Sequence, residues 1–213
     1  MKRTILYVCF AILSGSVIAQ DLSPIVLNPP DLKRGLPVME AFSLRASSSE
    51  FINTKLSLQD LSDLLWAANG VNRKENGKRT APSAMNAQDI DVYAFAEEGV
   101  YLYDPKSHVL NPVTSGDQRA LVAAKQVEFA KAAIILVLVS DISRFTSGDE
   151  SSKLSWAAMD AGIVSENISI FCSGMGLNSR PRATMDLEKL KSLLQLKDSQ
   201  HLILNNPVSY KKQ

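Results

Sequence analysis

Residues 133–141 read AIILVLVSD, an unbroken apolar run that meets its first charge only at Asp141. The run has the length of a strand rather than a helix. Without polar alternation, such a strand must be covered on both faces. The flanking sequence supplies the cover. Upstream, ALVAAKQVEFAKA (120–132) has helical spacing. Downstream, KLSWAAMDAGIVSENISIFCSGMG (153–176) reads as a long helix carrying small residues and stopped by glycines.

Working outward, DIDVYAFA (89–96) alternates Ile90, Val92 and Ala94 against Asp91, Tyr93 and Phe95. EEG makes a turn, VYLYD (100–104) returns, and HVLNPV (108–113) follows after Pro105. Nearer the start, Ser57 caps SLQDLSDLLWAANG, with Leu58, Leu61, Leu64 and Leu65 on one face and Gly70 as the stop. In GLPVMEAFSLR (35–45), Leu36, Val38, Met39, Ala41, Phe42 and Leu44 fall close to helical spacing. VNRKENGKRT (71–80) reads as a polar, basic loop, and the Pro-rich segment from Asp21 to Lys33 as an exposed arm. DLEKLKSLLQL (186–196) is amphipathic and HLILN (201–205) is a last strand. There is no repeat and no sign of a second domain. The fold class expected is α+β.

Met1 to Ala19 has two early basic residues, a short apolar stretch broken by Ser14, Gly15 and Ser16, and small residues at Val17 and Ala19. That pattern describes a signal peptide cleaved after Ala19, leaving residues 20–213 as one domain in a secreted or periplasmic protein. The competing reading is a membrane anchor, for which the stretch is short. Removing Lys2 and Arg3 moves the net charge from +1 to −1, which gives no electrostatic case for nucleic acid. Cys172 would then be the only cysteine, set in apolar SIFCSG, where a buried inert thiol is the expectation. Two histidines and no Cys/His cluster leave a metal site without support.

RTAPSAMNAQ (79–88) has side chains too small for a core. Pro82, Ser83 and Ala84 leave the backbone bare enough for a flat ligand to approach, with Asn86 offering an amide; an irregular turn is the plain alternative. LRASSSEF places Arg45, Ser47 and Ser49 together, a guanidinium with hydroxyls suited to phosphate, or simply a polar helix end. Gly174, Met175 and Gly176 expose backbone after the long helix, though a glycine helix stop has the same signature. Lys211 and Lys212 follow the last strand, where a solvated tail is the default.

Taken in order, FSLRASSSEF, LSLQDLSDLLWAANGVN, KRTAPSAMNAQ, AKAAIILVLVSD, DAGIVSENISIFCSGMGLNSR and NPVSYKK resemble the FMN-dependent nitroreductase superfamily, close to the branch with thiazoline- and oxazoline-forming dehydrogenases. The resemblance implies a nitroreductase-like fold: a central, mostly antiparallel sheet flanked by helices in an intertwined homodimer. It implies FMN at the dimer interface, each subunit lending residues to both flavins. Arg45, Ala46, Ser47 and Ser49 fall on the element near the flavin phosphate and ring edge. Pro82, Ser83, Ala84 and Asn86 fall on the segment along the isoalloxazine, with Gln88 beside it. Gln126 lies near a ring-facing amide position, Gly174–Gly176 match a Gly-Leu-Gly turn, and Lys211 or Lys212 matches a terminal basic residue that helps hold phosphate.

Two positions depart from that pattern. Ser49 replaces a basic residue, for which Lys78 and Arg79 are candidate substitutes, and Ser209 replaces a glycine. The implied function is an FMN oxidoreductase reducing nitro, quinone or related acceptors in ping-pong fashion, with a small-molecule reductant, no catalytic side chain and no stable membrane anchor. The alternative is an interaction protein that keeps the fold and has lost flavin or turnover, which Ser49 favours.

Overall fold

A computed structural model describes residues 22–212; Met1–Ala19, expected from the sequence to be a signal peptide, lies outside them. Seven strands form one antiparallel sheet. In chain order these are β1 (Ile25–Val26), β4 (Ile90–Phe95), β5 (Gly99–Asp104), β6 (Val109–Ser115), β7 (Ile134–Asp141), β8 (Leu177–Ser179) and β9 (Gln200–Tyr210). Their spatial order is β1-β6-β5-β4-β7-β9-β8. The helices are α1 (Val38–Leu44), α2 (Leu58–Asn69), α3 (Arg119–Ala123), α4 (Glu150–Gly174) and α5 (Leu187–Leu193), and β2 (Val71–Arg73) pairs with β3 (Lys78–Arg79) in a separate ribbon. Among the described residues no helix is long and apolar enough to cross a membrane.

The apolar run at 133–141 is β7, held between β4 and β9. Ile134, Leu136 and Leu138 enter a core with Leu64 and Leu65 of α2 and Ala161, Val164 and Ile168 of α4. Ile135, Val137 and Val139 enter a second core with Val122, Phe129 and Leu190. Each face of the strand therefore removes a row of aliphatic side chains from water, which is why no polar residue interrupts it.

Local signals set the helix ends. Ser57 Oγ accepts from Asp60 N at 3.0 Å at the start of α2. At Gly70 a Cβ would lie 2.5–2.8 Å from Trp66 atoms, so only glycine closes that helix here. Asp149 caps α4 by accepting from Ser152 N at 2.8 Å, and at its other end Gly176 adopts φ +70°.

Several expectations need correction. The 71–80 segment is not a loop but the β2–β3 ribbon, turned at Gly77 with φ +68° and tied to α2 by Trp66 Nε1 donating to Val71 O. The described part of the arm is strapped down: Leu27 is buried, and Asn28 N donates to Ser62 Oγ and Asp31 N to Asp63 Oδ1. The helix expected over 120–132 breaks where Ala124 takes φ +52°, and resumes as a 3-10 turn (Val127–Lys131) that seats Phe129 edge-on to Phe51 and beneath Arg182. The last strand runs on to Tyr210 and recruits β8 as a partner.

Candidate functional site

The chain leaving α1 runs beside β8: Ser47 bridges Ser179, and Ser48 N donates to Ser179 O at 3.0 Å. Asn178 Nδ2 fixes the next turn by donating to Glu50 O at 2.9 Å. Between this segment, β8 and α4 lies a cleft of about 500 Å³, lined by Ala46, Ser47, Ser48, Ser49 and Glu50, by Ser169 and Ser173 of α4, by β8, and by Lys211 and Lys212 beyond β9. Among the described residues the hydroxyls of Ser47 and Ser49 have no partner, and neither lysine forms an ion pair. Unspent hydroxyl donors and two cations facing one acid, Glu50, make this cleft receptive to a phosphate. Ser209, buried at its edge, accepts from Ile52 N at 3.3 Å, so its hydroxyl knits the tail to the 45–52 segment.

Arg45 caps α1 through its backbone and is exposed; it stands beside the cleft without lining it. Gly174, Met175 and Gly176 also stay out of the lining. Gly174 O accepts from Leu36 N at 3.0 Å, and Met175 packs against Gly35, so these residues steer the chain from α4 into β8. Gln126 is exposed outside the cleft, its side-chain oxygen accepting from Arg182 Nη2 at 2.9 Å.

The Pro82–Asn86 stretch sits elsewhere on α4. Ala84 N donates to both Asp160 oxygens (2.9 and 3.2 Å), Gln88 N to Ser83 Oγ (2.8 Å), and Met85, Asn86 and Gln88 all hold positive φ. Ser173 lies thirteen positions after Asp160 along α4, about 20 Å of axis at 1.5 Å per residue. One chain thus keeps its cationic cleft and its bare loop well apart. Arg79, with Nη1 donating to Ile90 O, belongs to the loop's end of the molecule, and Lys78 precedes it on β3; neither lines the cleft beside Ser49.

A family model described as the nitroreductase family matches residues 43–209, which span the loop and the cleft lining except Lys211 and Lys212. The chain belongs to the nitroreductase family. A Methanocaldococcus jannaschii protein bearing a nitroreductase name is 28% identical over 184 residues, 82% of this chain and 92% of its own. A solved structure from Ralstonia eutropha JMP134, also titled as a nitroreductase, is 32% identical with a TM-score of 0.83, covering 92% of each chain. A Staphylococcus epidermidis structure titled as an NAD(P)H:FMN oxidoreductase shares the fold at 12% identity and TM-score 0.64, over 85% of this chain and 90% of that one.

Within this nitroreductase-family chain, three groups escaped the sequence reading. Arg180 follows Ser179 of the cleft, its guanidinium carbon 5.7 Å from the Phe129 ring centroid, with no ion pair among the described residues. Tyr210 fixes the base of the Lys211–Lys212 tail by bonding to α2. Asp160, an acid inside the apolar stretch LSWAAMDAGIV, was the visible hint of a buried carboxylate facing Asp89. Cys172 is 1% exposed, and burial pushes its thiol up to about 12, so it is the inert residue expected.

Proposed function

We propose that this protein is an FMN-dependent oxidoreductase that reduces nitro, quinone or related acceptors, working as a homodimer. The observation that carries the reading is the cleft in which Ser47, Ser49, Lys211 and Lys212 converge. Its donor set suits the phosphate of a flavin mononucleotide, and a fold relative is titled for FMN. Lys211 and Lys212 would neutralise the phosphate while Ser47 and Ser49 donate to it. Arg180, which follows Ser179 of the cleft in the chain, would stand in for the basic residue that Ser49 lacks, although its guanidinium rests over the Phe129 ring outside the lining.

The loop comes from a second copy. Val38, Met39, Phe42 and Leu44 are exposed on α1, and Met159 on the open side of α4 is 65% exposed, an apolar surface of the kind a partner covers. Pairing about a two-fold brings the Pro82–Asn86 loop of one chain to the cleft of the other, so the roughly 20 Å separation within a chain becomes proximity between chains. Bound there, the flavin supplies hydride and electron transfer, and this chain's residues position it and set its charge environment. The backbone of Ser83 and Ala84 gives the ring a bare surface, and the Asn86 amide offers it a polar neighbour.

The quoted stretches favour kinship with the thiazoline- and oxazoline-forming branch, and Met1–Ala19 favours export to the periplasm or beyond. The deciding experiment is the visible spectrum of the purified protein, followed by trial of reductants. A yellow protein bleached by a reductant and reoxidised by a quinone supports the proposal. A colourless dimer that takes up no FMN supports the flavin-less interaction protein instead.

A further inference from the structure

Asp89 lies between the Pro82–Asn86 loop and β4 and is fully buried, and Asp160 of α4 is 4% exposed. Asp89 Oδ2 accepts from Ser140 Oγ at 2.5 Å, whereas its Oδ1 has no partner that could donate to it. Asp160 stands close enough to help raise the Asp89 carboxyl, and both Asp160 oxygens are already accepting from Ala84 N. Two carboxylates cannot share a dry site while both are ionised. One hydrogen between them resolves every contact: Asp89 Oδ1 carries it and donates to Asp160, and Asp160 keeps the charge that draws in the Ala84 amide.

We propose that Asp89 and Asp160 share a single proton and that this pair latches the Pro82–Asn86 loop, making both of them positioning residues for the face the loop presents. A charged acceptor is what this loop requires, because Met85, Asn86 and Gln88 hold left-handed backbone that ordinary residues adopt at a cost. The apolar packing of Ala84 and Ala87 against Ile142, Phe145 and Ala157 closes the latch from water.

The surroundings support a proton held into the neutral range. Burial is the largest influence on Asp89, and together with Asp160 it raises the carboxyl to about 7. The nearby cations act against this, but the hydrogen bonds they make go elsewhere, although Arg79 Nε is buried without a partner. Arg144, from the turn after β7, binds Asp91 on β4 and the Gln88 carbonyl, and Arg79 on β3 binds the Ile90 carbonyl. His201 on β9 lies opposite Ser140. Loss of the shared proton places two negative charges in the same buried space, and the Ala84 contact is the one free to give way.

The test needs no flavin, so its outcome is separable from the reading above; only the effect on FMN rests on that reading. Hydrogen exchange of the 82–88 segment, corrected for intrinsic rate, is followed through pH 7 in the purified protein. We expect protection in the parent to fall about tenfold or more across that step. Asp89→Asn, whose amide still donates to Asp160, should hold protection constant with pH. Infrared spectra of the parent at pH 6 should show a protonated carboxyl that Asp89→Asn lacks. A parent without that carboxyl, or an Asp89→Asn protein with the same pH step, overturns the latch. A colourless protein with the latch intact overturns only the flavin reading.

Discussion

Tyr210 donates its phenolic hydrogen to Asp60 Oδ2 across 2.5 Å, and Ser57 N donates to the same phenolic oxygen at 3.0 Å. The end of β9 is thereby fastened to the first turn of α2, one residue before the two lysines of the cleft. Burial by itself would raise the Asp60 carboxyl, but hydrogen bonds from Tyr210, Ser57 and Arg34 outweigh it and hold the group below its ordinary range. Asp60 therefore contributes stability that is complete above the ordinary carboxylate range and is lost as pH falls below it.

Tyr210→Phe removes one donor from a carboxylate. The expected loss is about 1–3 kcal/mol at neutral pH, with a shallower decline in melting temperature on acidification. Thermal melts from about pH 2 to pH 7 check both parts. FMN affinity should fall as well, since Lys211 and Lys212 lose their anchored base. Unchanged affinity would detach the tail from the cofactor.

Arg180→Ala should weaken FMN binding about tenfold, which is about 1.4 kcal/mol. Adding Ser49→Arg to that variant should restore the loss, because a cation returns to the neighbourhood of the phosphate. A flavin titration of the two variants and the parent measures this. Failure of the second substitution to rescue would place the effect of Arg180 outside the cofactor site.

Asn86→Gly tests the loop without disturbing its backbone, since φ +53° is easy for glycine. Flavin occupancy should stay near the parent's while the midpoint potential shifts, as expected when a polar neighbour of the ring is lost. Spectroelectrochemistry reads the potential directly. An unaltered potential would reduce Asn86 to a turn residue.

Phe42→Glu puts a charge on the apolar face of α1, where the parent residue is 53% exposed in the single chain. We expect dissociation to monomers and, in the same samples, loss of FMN, because in the proposed pairing the cleft of one chain takes the loop of another. Sedimentation with absorbance detection follows both. Mixing a dimer damaged at Lys211 and Lys212 with one damaged at Ala84 should recover about a quarter of the sites, those in which both intact halves meet.

The sequence was legible where a local pattern carried the information. Residues 133–141 declared a doubly covered strand, and Ser57 and Gly70 marked both ends of α2. It was illegible where structure comes from a partner. Leu177–Ser179 is a strand because β9 pairs with it, and β9 passes through Pro207 because β8 pairs only from Val208 onward, sparing the proline a second neighbour. Nothing in AAKQ announces the break at Ala124. At the site, order of motifs pointed to Ser47, Ser49 and the lysines, but burial of Asp89 against Asp160 joins residues 71 positions apart and has no local signature.

The placement of β9 carries a consequence for synthesis. The strand lies between β7 and β8, and the residues just after it complete the cleft. A nascent chain that stops short of residue 200 has β7 with one naked edge, no partner for β8 and neither lysine. Pairings of such long sequence separation form late. Assembly of the cleft must therefore await synthesis of β9 and the two lysines after it, and a stop before residue 200 yields an aggregation-prone polypeptide with an open sheet edge rather than a weakened form of the same fold.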